Sequence, residues 1–173
     1  MSKSIAAILV VPAAIALAGA LAPEAQSGEA PQPRAVVSAQ PVRALMDLAR
    51  GRRWELEWGA VSVYDAASDE LLRRVQLPGA TFAAARDSCP PDILLSRTGA
   101  LVVSSNAQPR FWRISPERFE VEVYDIAPNA ENDKDFGFIG LGWINGENVL
   151  QATSSATRTT WRVDLHAGTA VKL

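Results

Sequence analysis

Polar and apolar positions along this chain fall into short alternating runs separated by turn residues, which is the spacing of an all-β protein. Trp54, Leu56 and Trp58 alternate with Glu55 and Glu57, placing three large apolar side chains on one side and two acids on the other. That is a half-buried strand. Residues 60–64 and 71–77 continue as two more strands around Asp65-Ala-Ala-Ser-Asp69, where short polar side chains bond their own backbone. Farther on, residues 100–103 are apolar at every position after a Ser96-Arg-Thr-Gly99 turn, as a strand packed on both faces requires. Beyond a Ser115-Pro116-Glu117 turn, Phe119, Val121 and Val123 alternate with Glu120 and Glu122. Asn145-Gly146, between runs 138–144 and 147–153, predicts a two-residue type I′ hairpin with φ > 0 at both centres. Residues 159–164 and 169–173 close around Leu165-His-Ala-Gly168. One stretch breaks the pattern: Val42, Leu45, Met46 and Ala49 stand at i, i+3, i+4 and i+7, predicting one or two helical turns that end at Gly51.

These runs repeat. A shift of 49 positions places Leu101 on Leu150, Ser105 on Ser154, Ala107 on Ala156, Trp112 on Trp161, Arg113 on Arg162 and Ser115 on Asp164. A fainter copy lies upstream, where Tyr64-Asp65 stands about two periods before Val163-Asp164. A period near 50 is the mark of repeated sheet units.

Residues 63–75, Val-Tyr-Asp-Ala-Ala-Ser-Asp-Glu-Leu-Leu-Arg-Arg-Val, resemble the outer hairpin of a propeller blade. Asp92-Ile-Leu-Leu-Ser-Arg-Thr-Gly-Ala-Leu-Val-Val-Ser-Ser and Gly140-Leu-Gly-Trp-Ile-Asn-Gly-Glu-Asn-Val-Leu-Gln-Ala-Thr-Ser, each followed by a Trp-Arg strand and a polar turn, resemble blades of the YVTN, NHL and gluconolactonase-like propeller families. The resemblance covers residues 54–173. It implies an all-β, propeller-like fold of consecutive antiparallel four-stranded blades, with repeats at about 52–78, 92–125 and 138–173, and with loops at the inner strand ends forming a face for a ligand or partner. Propellers close with four to eight blades, so three leave an incomplete ring with open strand edges. A truncated or degenerate propeller, association of copies into a homo-oligomer, and another packing of three sheets all remain open at this point.

Composition adds an address. After Met1-Ser2-Lys3, residues 5–22 are apolar, uncharged and alanine-rich, with Ala18-Gly19-Ala20 as a small-x-small cleavage site. That is a signal peptide over residues 1–20, forming the N-terminal signal helix, and it implies a periplasmic or secreted protein with no membrane span once it is cleaved. Residues 21–41, rich in Pro, Ala, Gln and Ser, read as a flexible tether ahead of the β domain at 42–173. Cleavage removes Lys3 and no acid, leaving 16 basic against 19 acidic side chains, a net charge of about −3. No basic field for nucleic acid survives that balance. Cys89 is the sole cysteine of the 173 residues, so no internal disulfide forms, and before Pro90-Pro91 it reads as a small apolar residue at a strand entrance. The Arg50, Arg52 and Arg53 cluster reads as a solvated face.

Candidate chemistry is sparse. Asp133 and Asp135, with Glu131, lie in the densest acidic loop and carry oxygen ligands suited to calcium. An EF-hand does not fit, because Phe136 stands at its glycine and Gly142 at its bidentate acid. Gluconolactonase-like enzymes hold a divalent metal with Glu, Asn and Asp, and the resemblance makes Asp92, Asn106 and Asp133 the counterparts to consider, with no motif that transfers the set. His166, the single histidine, sits in an outer turn, which excludes a multi-histidine metal site within one chain. There is no Gly-x-Ser-x-Gly, and Ser104-Ser105 have no evident base, so no catalytic residue is assigned. Trp112 and Trp161 read as core. Strand alternation then turns Arg113 and Arg162 away from them, toward an anion-binding stripe if they share a groove. Asn106, Arg113 and Arg162 are the ligand-binding candidates, and Asp92, Asp133 and Asp135 the metal candidates. The expected function is a noncatalytic domain, without a required cofactor, that binds a protein partner or small ligand. The alternatives are a metal-dependent lactonase-like hydrolase and a fragment of a longer propeller protein.

Overall fold

The computed structural model describes residues 40–83, 89–128 and 137–173. The signal segment and most of the tether lie outside these residues. The described part is all-β, built of three sheets that follow one another along the chain, each with four antiparallel strands and the third with a short fifth strand added in parallel. Sheet 1 holds β1 (Arg43–Asp47), β2 (Arg52–Leu56), β3 (Ala60–Asp65) and β4 (Leu71–Gln76) in that order. Sheet 2 holds β5 (Ile93–Leu95), β6 (Leu101–Ser104), β7 (Arg110–Ile114) and β8 (Val121–Asp125). A short β9 (Ala127–Pro128) precedes sheet 3, which holds β10 (Phe138–Asn145), β11 (Val149–Ser154), β12 (Thr160–Asp164) and β13 (Thr169–Lys172). β9 returns to the far edge of that sheet and pairs in parallel with β13. The first strands approach one another, β1 against β5 and β5 against β10.

From β6 to β8 and from β11 to β13 the strand pairings are offset by 49 residues. Val103↔Trp112↔Val123 in sheet 2 becomes Ala152↔Trp161↔Lys172 in sheet 3, and Val102↔Arg113↔Glu122 becomes Gln151↔Arg162↔Val171. Sheet 1 joins the series through its outer turn. Asp65 N–H bonds Glu70 O and Asp69 N–H bonds Asp65 O, as Ser115 N–H bonds Glu120 O and Phe119 N–H bonds Ser115 O. Asp69 and Phe119 both adopt positive φ, at 62° and 57°. In this turn sheet 1 matches sheet 2.

Two local expectations are corrected. Residues 42–49 form no helical turn. Arg43–Asp47 is strand β1, because an edge strand satisfies its backbone against β2, starting with Val42 N–H to Leu56 O at 2.7 Å, while so short a helix would leave most of its backbone groups unpaired. Its apolar spacing reflects only that Val42 and Leu45 pack against the core. The Asn145-Gly146 turn is not a two-residue type I′ hairpin. Asn145 pairs with Val149 across a Gly146–Asn148 loop in which Gly146 alone has positive φ, after a register shift between Trp143 and Asn145.

The sheets stack face to face, with sheet 2 in the middle. Trp54, Leu56, Val61 and Val63 of sheet 1 pack with Leu101, Val103, Trp112 and Ile114 of sheet 2. The opposite face of sheet 2, Val102 and Phe111, packs with Phe138, Leu150, Ala152, Trp161 and Val163 of sheet 3. Being covered on both sides is why Leu101, Val102 and Val103 of β6 are all apolar. The two outer faces differ in kind. Where sheet 2 presents Leu101, Val103, Trp112 and Ile114 to its neighbour, the matching positions of sheet 1 are Arg53, Glu55, Ser62 and Tyr64. Where sheet 2 presents Val102 and Phe111, sheet 3 has Gln151 and Thr160. Sheet 1's outer face is laced by Arg53 with Glu55 and Asp69, Arg74 with Glu57, and Ser62 with Glu57. Polar terminal faces are what end units of a repeat array need to stay soluble.

Candidate functional site

The first hairpin turns of the three sheets meet at Thr98. Its carbonyl accepts from Arg50 Nη2 at 2.6 Å, while its N–H and hydroxyl donate to the two carboxylate oxygens of Glu147, each at 2.9 Å. Glu147 also receives Arg113 Nη2 at 3.1 Å, and Asn148 Oδ1 accepts from Arg113 Nη1 at 3.1 Å. Arg113 thus lies in the cleft between sheets 2 and 3, anchored to the turn of sheet 3. Beside it a groove of about 390 Å³ opens, bordered by Thr98, Ser115, Pro116, Glu120 and Glu122. Glu122 accepts from the Tyr124 hydroxyl, and burial, reinforced by that bond, pushes this hydroxyl above the ordinary phenol range. The groove combines a guanidinium whose fork is held by Glu147 and Asn148 with carboxylates on its rim, so it offers a ligand chiefly acceptors beside a fixed positive charge.

The other candidates are dispersed. Asp92 sits where the three inner strands meet. One of its oxygens accepts from Ile93 N–H at 2.9 Å and lies 3.6 Å from Arg43 Nε; the other accepts from Leu141 N–H at 2.9 Å. Its carboxylate ties β5 to β10 and faces β1. Replacing Asp92 by alanine leaves those donors without partners in a mostly buried place, and a loss of about 2 kcal/mol is expected in urea unfolding. Asn106 is buried; its Oδ1 accepts from Ala83 N–H and its Nδ2 donates to Ala83 O and Cys89 O, so it holds both flanks of the link between sheets 1 and 2. Arg162 is exposed on the outer face of sheet 3, and Arg113 is on the face of sheet 2 turned toward sheet 3. Sheet 3 stands between the two arginines.

Asp133 and Asp135 lie outside the described residues. No group of three or more His, Cys, Asp and Glu side chains able to hold a metal stands together among the described residues. Nor is there among them a helix long and apolar enough to cross a membrane. Arg50, Arg52 and Arg53 are engaged rather than merely solvated: Arg50 pairs with Asp47 and Glu117, Arg52 bonds Pro116 O, and Arg53 pairs with Glu55 and Asp69. Cys89 is partly buried, with Arg158 donating to its sulfur. Glu147 is the residue that sequence reasoning missed. Its place directly after Asn145-Gly146 was a signal that the side chain projects from a tight turn.

Comparison with known protein families and with curated proteins finds no match to this chain.

Proposed function

We propose that this is an exported, periplasmic or secreted, noncatalytic propeller-like domain that binds a protein partner or small ligand through its loops. The groove beside Arg113 carries the reading. It lies where two hairpin turns and a cleft between sheets converge, and its open volume is bordered by both charge signs. Loops borne on rigid sheets are common places for recognition. The apolar run at residues 5–22 supports export, and the four-stranded antiparallel sheets repeating at 49 residues support kinship with propeller blades arranged as an open arc. On this reading no metal is resident, and calcium leaves the melting temperature of the purified protein unchanged.

Calorimetric titration with a panel of sugars, amino acids, lactones and short peptides tests the proposal. At least one class is expected to bind, with affinity lowered about tenfold by Glu122→Gln, the loss of one charge-assisted contact. Turnover of a lactone or ester that stops in Asp92→Asn would overturn it.

A further inference from the structure

A second pocket, of about 180 Å³, is bordered by Arg97, Trp143, Ile144, Asn145 and Gly146 and shares no bordering residue with the groove beside Arg113. Two hairpin turns build it. Arg97 stands in the turn between β5 and β6, and Trp143, Ile144 and Asn145 are the last residues of β10. A regular strand would point consecutive side chains to opposite faces, but the register slip between Trp143 and Asn145 lets all three border one cavity. Thr98 and Glu147, bonded to each other twice at 2.9 Å, fasten the two turns together. The indole of Trp143 is held as well: its Nε1 donates to Leu95 O at 2.9 Å, and it packs against the core between sheets 2 and 3 while bordering the pocket.

The polar side chains of this pocket are uncommitted. Arg97 is exposed and its guanidinium forms no ion pair or hydrogen bond among the described residues, and the Asn145 amide has no hydrogen-bond partner among them either. Glu147, the acid next in the chain, is already paired with Arg113 at 3.1 Å, which leaves the charge of Arg97 to a ligand. A guanidinium fork matches a carboxylate, an amide both donates to and accepts from hydroxyls, and an indole covers the apolar face of a ring. The volume is smaller than a drug-sized ligand needs and suits a single ring. We propose that this pocket binds a sugar acid, with its ring laid on Trp143, its carboxylate on Arg97 and its hydroxyls on Asn145. The site goes beyond the groove beside Arg113 and does not depend on that groove being occupied.

The probe is glucuronate; glucose, which lacks the carboxylate, and benzoate, which lacks the hydroxyls, are the controls. Each is titrated into the full chain while the indole N–H resonance of Trp143 and the amide resonance of Gly146 are followed by NMR. Glucuronate is expected to shift both signals, to bind about tenfold more tightly than glucose, the worth of one charge-assisted contact, and to bind more tightly than benzoate. Arg97→Gln should lower its affinity to that of glucose, while Glu122→Gln, in the groove, leaves it unchanged. Equal affinity for glucose and glucuronate, benzoate bound as tightly as glucuronate, or an unmoved Trp143 signal would overturn the proposal. So would binding that is lost in Glu122→Gln and kept in Arg97→Gln, which would put the sugar acid in the groove.

Discussion

Trp112→Ala is expected to remove about 3–5 kcal/mol of stability, a large share of what a domain of this size possesses. The indole is fully buried in β7 between Val103 and Val123, packs 5.8 Å from Phe82, and spends its N–H on Pro78 O. Truncation therefore opens a cavity between sheets 1 and 2 and orphans a carbonyl of the connecting segment. Trp161→Ala should cost a comparable amount by the same mechanism one period later, where the ring is fully buried in β12 and packs 6.4 Å from Phe138. Trp58 is the control. Half exposed beyond the end of β2, it should cost far less. Urea unfolding of the three variants ranks them; a Trp58 variant as damaged as the other two would contradict the packing described.

Gly137→Ala is the second large effect. Gly137 leads into sheet 3 with its backbone pressed against the turn after β6. A Cβ there would stand 2.2 Å from Ser105 O and from the Asn106 carbonyl carbon, and 2.4 Å from Ala107 N. These are backbone atoms, so no side chain can swing aside. The same residue exchanges bonds with Ser155 while Phe138 N–H donates to Ser105 O at 2.6 Å, so relief by displacement would pull β10 from sheet 2. A cost of about 3 kcal/mol is expected. Gly142→Ala, where nothing lies within 4 Å, should change stability by no more than about 0.5 kcal/mol. Equal melting temperatures for the two variants would show that the chain does not approach sheet 2 in this way.

The 49-residue shift was visible because Trp112 and Trp161 are large, buried and equivalently placed, and the strand registers follow that shift from β6 to β8 and from β11 to β13. It fails in the first strand, where Leu94↔Val102 corresponds to Gly142↔Gln151, one residue short of the shift, because the register of β10 slips by a residue between Trp143 and Asn145. β1 was hidden since an edge strand with few buried positions leaves a weak alternation. The groove was half legible. Arg113 stood out through its repeated neighbour, but its partners Glu147 and Asn148 come from a turn 34 and 35 residues away, a contact that no local pattern encodes.

The polar end faces bear most directly on function, since they decide whether the sheets need partners merely to cover apolar surface. A fourth sheet placed on sheet 1 would bury the Arg53–Glu55 pair, and one placed on sheet 3 would meet Gln151, Thr160 and Arg162. Desolvating such groups without replacement partners is costly. Sedimentation equilibrium of the mature protein over a wide concentration range tests this most directly. A monomer throughout is expected, with association appearing only when Gln151→Val and Thr160→Phe together give sheet 3 the apolar face of sheet 2. A stoichiometric dimer or larger ring of the unaltered protein would contradict it.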